Sequence, residues 1–292
     1  QGRYEGLCDG VRGTGYRQIV YNVLVPELGK IFLSDLLRRH VREACDKMTN
    51  VTNKRLLNIQ SVLRAALQDA LDEDLIDVNP LHGWRYKRVE APKLNDHVDP
   101  FDKAEQVAII DACKNRLHKN LFKFAFWSGL RTNELVALTW SDIDFKRKII
   151  RVWKGKTQVA KTAEKPKTKR SVREVNILKP AMEALADQKT LTYSPNDNTP
   201  VFINPNTGQA WEGDQQIRNT WVAVLKKAHV RYRNPYQTRH TYASMMLSAG
   251  ETPVWVSGQM GHTDVTMIFR IYGRWIPDAS LNAGQKAVEI FG

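Results

Sequence analysis

Cysteines are scarce in this sequence, and long apolar runs are absent. The three cysteines, Cys8, Cys45 and Cys113, lie far apart among 292 residues and form neither a disulfide framework nor a metal-binding pair. Every apolar run is short and broken by charge, whereas a membrane-spanning helix needs roughly 20 apolar residues. The first ten residues lack the pattern of a secretory signal peptide. We therefore expect a protein of the reducing cytoplasm with no membrane association.

The motifs of several common chemistries are also missing. The sequence contains no Walker-type or GxGxxG glycine loop, no HExxH or paired CxxC metal motif, and no GxSxG nucleophile elbow. An Asp-Glu-Asp-x-x-Asp run at 72–77 looks like a metal site, but it closes an amphipathic helix and is expected to be a solvated helix end. We therefore expect a basic protein without a metal site, which must handle phosphates with side chains alone.

Positive charge is abundant. The sequence carries 44 Lys and Arg against 31 Asp and Glu, a net charge of +13. Residues 1–98 hold 15 basic and 13 acidic side chains, and residues 99–292 hold 29 and 18, so the surplus lies in the second part. Such a surplus favours a nucleic-acid surface, because each basic side chain that neutralises a phosphate releases counterions. A basic solvated surface without a partner is the alternative.

The first part of the chain is predicted to be helical. One helix begins after the N-cap Thr52 and ends near Pro80, with an apolar side chain every three or four residues. This stripe comprises Leu56, Ile59, Leu63, Ala66, Leu67, Ala70 and Leu71. A facing helix is expected to contribute Leu28, Ile31, Phe32, Leu36, Leu37 and Val41. The mixed, turn-prone stretch 89–100 is predicted to be an interdomain linker.

The second part is predicted to combine helices with a small sheet. Residues 101–146 show helical periodicity. Two β-rich segments, 148–153 and 173–178, flank a strongly basic stretch and are predicted to be strands. Further helices are expected at 213–228, 237–249, 253–260 and 264–272. The predicted fold is therefore mainly α with a small β-sheet.

Three separated segments fit a single chemistry. They are Gly-Leu-Arg-Thr-Asn-Glu-Leu at 129–135, Tyr-Gln-Thr-Arg-His-Thr-Tyr at 236–242, and Met-Gly-His at 260–262, which Tyr272 follows ten residues later. In this order and at this spacing the sequence resembles the tyrosine recombinase (phage integrase) family. The resemblance runs from about residue 15 to the end of the chain, although it is specific only within 129–275.

The resemblance implies a two-domain, C-shaped DNA clamp. Residues 1–88 correspond to a helical core-binding domain, 89–100 to the linker, and 101–292 to a mixed α/β catalytic domain with a C-terminal tail. Many phage integrases carry an arm-binding domain before these, and the chain is expected to start after its place. The tail is expected to pack on a neighbouring protomer in a homotetramer on DNA.

The family's chemistry assigns a role to each motif residue. A tyrosine attacks the scissile phosphate to form a 3′-phosphotyrosine, and a free 5′-hydroxyl reverses the step, so the resemblance implies that no metal, ATP or other cofactor is needed. The resemblance makes Tyr272 the nucleophile and Arg131 and Arg239 the phosphate-clamping guanidiniums, whose planar forks suit phosphate oxygens. His262 is expected to hydrogen-bond the phosphate or assist the nucleophile. Glu134 is expected to orient Arg131 or to stabilise its helix.

One position departs from the family pattern. Tyr236 stands where the family has histidine in His-x-x-Arg, and a phenol with an ordinary pKa near 10 is a poor base at neutral pH. Tyr236 is kept among the catalytic candidates, with the general-base role in doubt. His240, which follows Arg239 directly, is expected to be structural and hydrogen-bonded inside the fold. Tyr242 is expected to belong to the core.

A lysine is expected to protonate the leaving 5′-oxygen. Lys167 matches the family best, since it lies eight residues before a valine of the second predicted strand, with Lys156 and Lys169 as rivals. The residues expected to contact DNA elsewhere are Lys54, Arg55, Arg64, Lys169 and Arg170.

The resemblance predicts a site-specific DNA recombinase that integrates and excises a phage or mobile element. The expected partners are double-stranded attachment-site DNA, three further copies of the chain and accessory DNA-bending proteins, in the bacterial cytoplasm. The alternatives are a Xer-like chromosome-dimer resolvase or transposase of the same fold, a type IB topoisomerase relative, and a DNA-binding protein whose catalysis has decayed. The presence of Arg131, Arg239, His262 and Tyr272 argues against decay.

Overall fold

The structure is a computed structural model in which two compact units can be described. It describes residues 11–89, 98–156, 172–195, 198–262, 264–277, 288–289 and 292, with side chains from residue 15 onward. The units are Gln1–Leu94 and Asn95–Gly292, and the division between them falls within the stretch predicted as a linker. The core-binding, linker and catalytic assignments remain predictions. No helix in the described ranges is long and apolar enough to cross a membrane.

The first unit is helical in its described part. Its longest helix, α4, begins where the sequence predicts, because the Thr52 hydroxyl accepts a hydrogen bond of 3.3 Å from the Arg55 amide. Leu56, Ile59 and Leu67 of the predicted stripe are buried along it. The α-helices of this unit are α1 (Val11–Ile19), α2 (Val25–Leu28), α3 (Arg38–Lys47) and α4 (Asn53–Asp72), joined by a π-helical turn, Val20–Leu24, and a 3-10 turn, Leu33–Asp35.

The single facing helix predicted across residues 28–41 is wrong. Phe32 and Leu37 have extended backbones, with ψ of 146° and 161°, which break the segment into α2, the 3-10 turn and α3. The Phe32 side chain is 78% exposed. Leu28 and Val41 nevertheless pack against α4 in one core, so apolar side chains reach the same core from separate elements. The spacing of these apolar residues therefore did not indicate a single helix.

The second unit confirms a mainly α fold with a small sheet. Among its described residues, three antiparallel strands, β1 (Ile143–Asp144), β2 (Ile149–Val152) and β3 (Arg173–Asn176), lie in the order β1-β2-β3, with Ile150 paired to Ile143 and to Val175. Ile150 and Val175 are fully buried. The helices are α5 (Lys103–Ala112), α6 (Arg116–Ser128), α7 (Thr132–Ala137), α8 (Lys179–Thr192), α9 (Asp214–Lys227), α10 (Gln237–Ser248), α11 (Pro253–Met260) and α12 (Thr266–Tyr272).

Two left-handed glycines terminate the helices that lead to the motif residues. Gly129 ends α6 with φ +63°, and Gly261 ends α11 with φ +65°, a conformation that costs little only without a Cβ atom. A Cβ on Gly129 would lie 2.6 Å from the ring of Tyr242. Tyr242 is fully buried, which confirms its predicted place in the core. The turn between α6 and α7 is thus fitted closely onto α10.

Replacing Gly129 by alanine is therefore expected to destabilise the second unit, and Gly208→Ala is the matched control. Gly208 also has a left-handed φ, of +68°, but a Cβ there would meet no atom within 4 Å. Both variants carry the backbone strain of about 1–2 kcal/mol, and Gly129→Ala should lose about 1–3 kcal/mol more through overpacking. Urea unfolding measures the two free energies. Equal losses would show that Tyr242 yields to the methyl group without cost.

Candidate active site

Glu134 holds two arginines in a buried cluster. Arg131 precedes the first turn of α7, and its Nη1 atom donates to Glu134 Oε1 at 2.8 Å, while its backbone amide donates to Oε2 at 2.8 Å. Arg173 of β3 donates to both carboxylate oxygens of Glu134, at 3.0 and 2.9 Å. Glu134 therefore contacts both the guanidinium and the backbone amide of Arg131, so the geometry fits both expected roles, orienting Arg131 and stabilising its helix. Arg173 was not singled out from the sequence, which offers no local signal that it pairs with a residue 39 positions away.

The carboxylate of Glu134 is charged at neutral pH despite its burial. Burial raises its pKa, but hydrogen bonds and positive charge from Arg173, together with Arg131, prevail and lower the pKa from 4.5 to about 2. Only 7% of the Glu134 side chain is exposed. The buried carboxylate of Glu134 thus holds the guanidinium of Arg131, which the family resemblance predicts to bind phosphate.

Arg239 is buried at the centre of the same region. It is 1% exposed, and its Nη1 and Nη2 atoms donate to the carbonyls of Gly129 at 2.5 Å and Met260 at 2.6 Å. Arg131 Nη2 donates to the neighbouring carbonyl of Gly261 at 3.1 Å. Burial lowers the pKa of Arg239 to about 10, which still leaves it protonated at neutral pH. The two predicted clamp residues therefore converge on the turn at the end of α11.

His262 follows that turn and is neutral. Its backbone amide donates to the Ser257 carbonyl at 3.0 Å, which fixes the residue after Gly261. Burial first, and then the charges of Arg239 and Arg131, lower the pKa of its imidazole to about 3. A Cβ on Gly261 would lie 2.9 Å from the Arg173 side chain, so this close approach depends on glycine. A neutral imidazole offers one N–H donor to a ligand.

The cluster carries excess positive charge and unsatisfied polar atoms. Arg131 and Arg173 share the carboxylate of Glu134, and the guanidinium of Arg239 lies within electrostatic range of all three among the residues that the structure describes. The Nε atom of Arg239 and the Nδ1 atom of His262 are buried without a hydrogen-bond partner in the same described part of the chain. Buried unpaired groups cost free energy, which an anionic ligand with several oxygens offsets. The arrangement is therefore suited to a phosphate group.

Tyr272 lies beside this cluster, at the end of α12. It is 1% exposed, and its hydroxyl is 2.7 Å from Nδ1 of His240. Burial raises the pKa of the phenol, and the positive charge of Arg239 opposes that rise. The expected hydrogen bond of His240 inside the fold is confirmed. Its partner, the predicted nucleophile, lies 32 residues away and was not foreseen.

Tyr236 lies on the other side of His240. It directly precedes α10, it is 40% exposed, and its ring meets the His240 ring edge-on at 5.1 Å between centroids. Tyr236 acts electrostatically on the pKa of Arg239, so the two side chains lie near each other. Tyr236 is thus near the cluster, in contact with the histidine and not with the hydroxyl of Tyr272.

Of the three lysine candidates for the general acid, the structure describes Lys156. Lys167, Lys169 and Arg170 lie outside the described residues. Lys156, a rival for the general acid, donates from Nζ to the Trp211 carbonyl at 3.2 Å, and its backbone amide donates to Asn133. That contact holds Lys156 within the fold.

The three candidate DNA contacts on α4 differ in their surroundings. Lys54 and Arg55 are exposed. Arg64 donates to the carbonyls of Leu81 at 3.3 Å and Trp84 at 2.9 Å, so its guanidinium is engaged in stabilising the first unit. Lys54 and Arg55 are therefore free to contact DNA, and that contact stays a prediction. The hydrogen bonds of Arg64 favour a structural role instead.

Comparison with known proteins identifies the family. Residues 100–275 match the model of the phage integrase family, and the chain belongs to that family. It is 33% identical to the prophage integrase IntR of Escherichia coli K12 over 76% of this chain and 57% of that protein. It is 24% identical to the integrase of Salmonella phage P22 over 80% and 56% of the two chains. The chain therefore spans little more than half the length of these curated relatives.

Solved structures share the fold. An integrase of transposon Tn1549, in complex with a circular intermediate DNA, aligns with a TM-score of 0.74 at 20% identity over 99% of this chain and 96% of that one. A lambda integrase dimer bound to a core site aligns with a TM-score of 0.66 at 14% identity over 96% and 94%. These likenesses extend over both units of the chain and concern the fold alone.

The buried pairs of Glu134 predict a pH-dependent contribution to stability. The folded pKa lies below the unfolded value, so the stabilisation is complete above about pH 4.5 and is lost as the pH falls toward 2. Glu134→Gln should cost about 3–5 kcal/mol at pH 7, because it leaves Arg173 and Arg131 without their counter-charge. The difference between the two proteins should shrink between pH 4.5 and pH 3.

Urea unfolding at several pH values tests this, with Glu174→Gln as the control. Glu174 pairs with Arg147 on the same sheet, but both side chains are about half exposed, 49% and 54%. Its replacement should cost at most about 1 kcal/mol. Losses of similar size for the two variants would contradict the account of a buried charge cluster.

Proposed function

We propose that the chain is the core-binding and catalytic part of a site-specific DNA recombinase of the tyrosine type. It cleaves and rejoins DNA through a 3′-phosphotyrosine, and in that way integrates and excises a phage or mobile element. Membership of the phage integrase family supports this proposal. The observation that carries it is the convergence of Arg131, Arg239 and His262 beside a buried tyrosine hydroxyl, that of Tyr272.

Each side chain of the cluster has a separate task in this mechanism. Arg131 and Arg239 bind the non-bridging oxygens of the scissile phosphate and neutralise the charge that grows in the pentavalent transition state. His262, which is neutral, donates one hydrogen bond to the same phosphate. Glu134 and Arg173 position Arg131 and touch no substrate. Tyr272 attacks phosphorus and expels the 5′-oxygen, and the phosphotyrosine keeps the energy of the broken ester for rejoining.

A lysine supplies the proton that the leaving 5′-oxygen needs. Lys167 is proposed for this task, with Lys169 and Lys156 as alternatives. The contact of Lys156 with the Trp211 carbonyl must break before it can serve, which supports the other two. Lys169 and Arg170 are proposed to bind neighbouring phosphates.

Double-stranded DNA is the proposed partner. Lys54 and Arg55 are proposed to contact it from the first unit, since both are exposed on one helix. The integrase of transposon Tn1549, which has a similar fold, was solved in complex with DNA. A lambda integrase of similar fold was solved as a tetramer bound to a Holliday junction. The second of these supports a homotetramer on attachment-site DNA. Contacts of the C-terminal tail between protomers and accessory DNA-bending proteins are part of the same proposal. A bacterial cytoplasmic location accords with such a substrate.

Covalent trapping tests the proposed reaction and its nucleophile. Attachment-site DNA, taken from the sequence beside the gene, is nicked near the cleavage point. Cleavage then releases a short fragment that carries the free 5′-hydroxyl, and its loss by diffusion prevents rejoining. We expect a protein–DNA adduct on a denaturing gel in the presence of EDTA, because side chains alone carry out the chemistry. Tyr272→Phe should abolish the adduct, while Tyr193→Phe, which removes a half-exposed hydroxyl in the same unit, should retain it.

Two other results would each change the conclusion. An adduct that survives Tyr272→Phe would assign the nucleophile to a different tyrosine. Tight binding to the site without any adduct would favour the alternative of a DNA-binding relative whose catalysis has decayed.

Affinity for DNA is expected to fall steeply as salt rises. Each phosphate neutralised by a lysine or arginine contributes a slope of about −0.9 to log K against log salt concentration. The net charge of +13 supplies many such contacts. Fluorescence anisotropy with labelled duplex between low and physiological salt measures the slope, and Lys54→Ala should reduce it by about 1. A flat response would contradict DNA as the partner.

A further inference from the structure

The hydroxyl of Tyr272 has a specific imidazole partner inside the protein. Nδ1 of His240 lies 2.7 Å from Oη of Tyr272, within the range of a good hydrogen bond. Both side chains are nearly sealed from solvent, at 8% and 1% exposure. His240 lies on α10, directly after Arg239, and Tyr272 ends α12. The contact therefore joins the helix that carries a proposed phosphate clamp to the helix that carries the proposed nucleophile.

A buried phenol needs a proton acceptor before it can attack phosphorus. The burial of Tyr272 raises the pKa of its hydroxyl, so a free tyrosinate is rarer here than in water. Arg239 opposes this rise but does not remove the proton. A base within hydrogen-bond distance of the hydroxyl can accept that proton, which a positive charge cannot do.

The other candidate side chains of this region are unsuited to the task. Tyr236 contacts the ring of His240, and its own phenol is a weak base. His262 has its pKa lowered to about 3, so it holds an extra proton poorly, and the nearby arginines contribute to that. The ring of Trp275 also packs on Tyr272 and carries no basic atom. Among the described residues that contact Tyr272, His240 alone combines a basic nitrogen with the required distance.

We propose that His240 is the general base of this enzyme, the group that takes the proton from Oη of Tyr272 as the hydroxyl attacks the scissile phosphate. This inference rests on the proposed function and adds to it a catalytic residue. It assigns to His240 the proton transfer that Tyr236, at the family's histidine position, is poorly suited to perform.

The proposed step balances in protons and bonds. His240 begins as the neutral tautomer with its proton on Nε2, and Nδ1 accepts the Oη proton while the Oη–P bond forms and the P–O5′ bond breaks. The leaving 5′-oxygen takes a proton from the lysine acid. In rejoining, the lysine accepts the proton of the attacking 5′-hydroxyl, and the His240 imidazolium returns its proton to Oη as the phosphotyrosine bond breaks. No oxidant, metal or further reactant is needed.

The test compares two substitutions of His240 in single-turnover cleavage of the nicked DNA. The side-chain oxygen of His240→Gln can still accept a hydrogen bond from Oη but cannot hold its proton, whereas His240→Ala can do neither. We expect both variants to cleave about 100-fold more slowly or worse, while DNA affinity is retained. Added imidazole should raise the rate of His240→Ala in proportion to its concentration. His118→Gln, which replaces a half-buried histidine stacked near Phe122, is the control and should cleave at the parent rate.

A second measurement separates base catalysis from packing. In the His240→Gln background, Tyr272 is replaced by 3,5-difluorotyrosine, a stronger acid of nearly the same shape. A more acidic phenol releases its proton more easily and depends less on a base, so the rate should recover at least about tenfold, by the usual dependence of proton transfer on acidity. A purely structural role for His240 predicts no such recovery, because the fluorines restore no packing.

The outcomes are distinct. Cleavage by His240→Gln within about threefold of the parent, with His240→Ala defective, would reduce His240 to a positioning residue. A slow His240→Gln variant that the fluorinated tyrosine does not rescue would also overturn the proposal. If the parent protein itself forms no covalent adduct with the nicked DNA, the proposed function is contradicted, and His240 is then not at issue.

Discussion

The burial of arginine side chains around one carboxylate is the constraint on which the rest of this site depends. Arg239 is almost completely buried and is held by two main-chain carbonyls, those of Gly129 and Met260. Arg131 and Arg173 both form ion pairs with Glu134. Taking positive charge out of water costs free energy, so the helix ends that supply the carbonyls must be placed accurately. The left-handed glycines at 129 and 261 make that placement possible.

The same constraint relates the charge cluster to the nucleophile. An excess of buried guanidinium favours an anion, and it also stabilises the tyrosinate that must form beside that anion. The hydroxyl of Tyr272 is meanwhile sealed from water and bonded to His240. Stability and chemistry are therefore coupled, because the interactions that hold Arg131 and Arg239 in place are also those that shape the phosphate site.

Much of the local structure could be predicted from the sequence, and long-range pairing could not. Periodicity and capping gave α4 with its N-cap Thr52, the helices around the motifs and two of the strands, because these signals lie within a few residues of one another. The motif residues Arg131, Arg239, His262 and Tyr272 were selected by family resemblance, and their catalytic roles remain predictions. The pairing of Arg173 with Glu134 and of His240 with Tyr272 joins residues 39 and 32 positions apart, and no local pattern encodes such contacts. The helix predicted across 28–41 failed because apolar spacing does not reveal that Phe32 and Leu37 are extended.

The most direct test of the central claim is a crystal structure of Tyr272→Phe bound to uncleaved attachment-site duplex. The account predicts that the scissile phosphate lies within hydrogen-bond distance of Arg131, of His262 and of Nε of Arg239, and that Glu134 still holds Arg131. A phosphate bound elsewhere, with Arg239 still engaged only by the two carbonyls, would contradict the claim. The buried arginines would then be a structural feature of the fold, and the chemistry would have to be sought at another site.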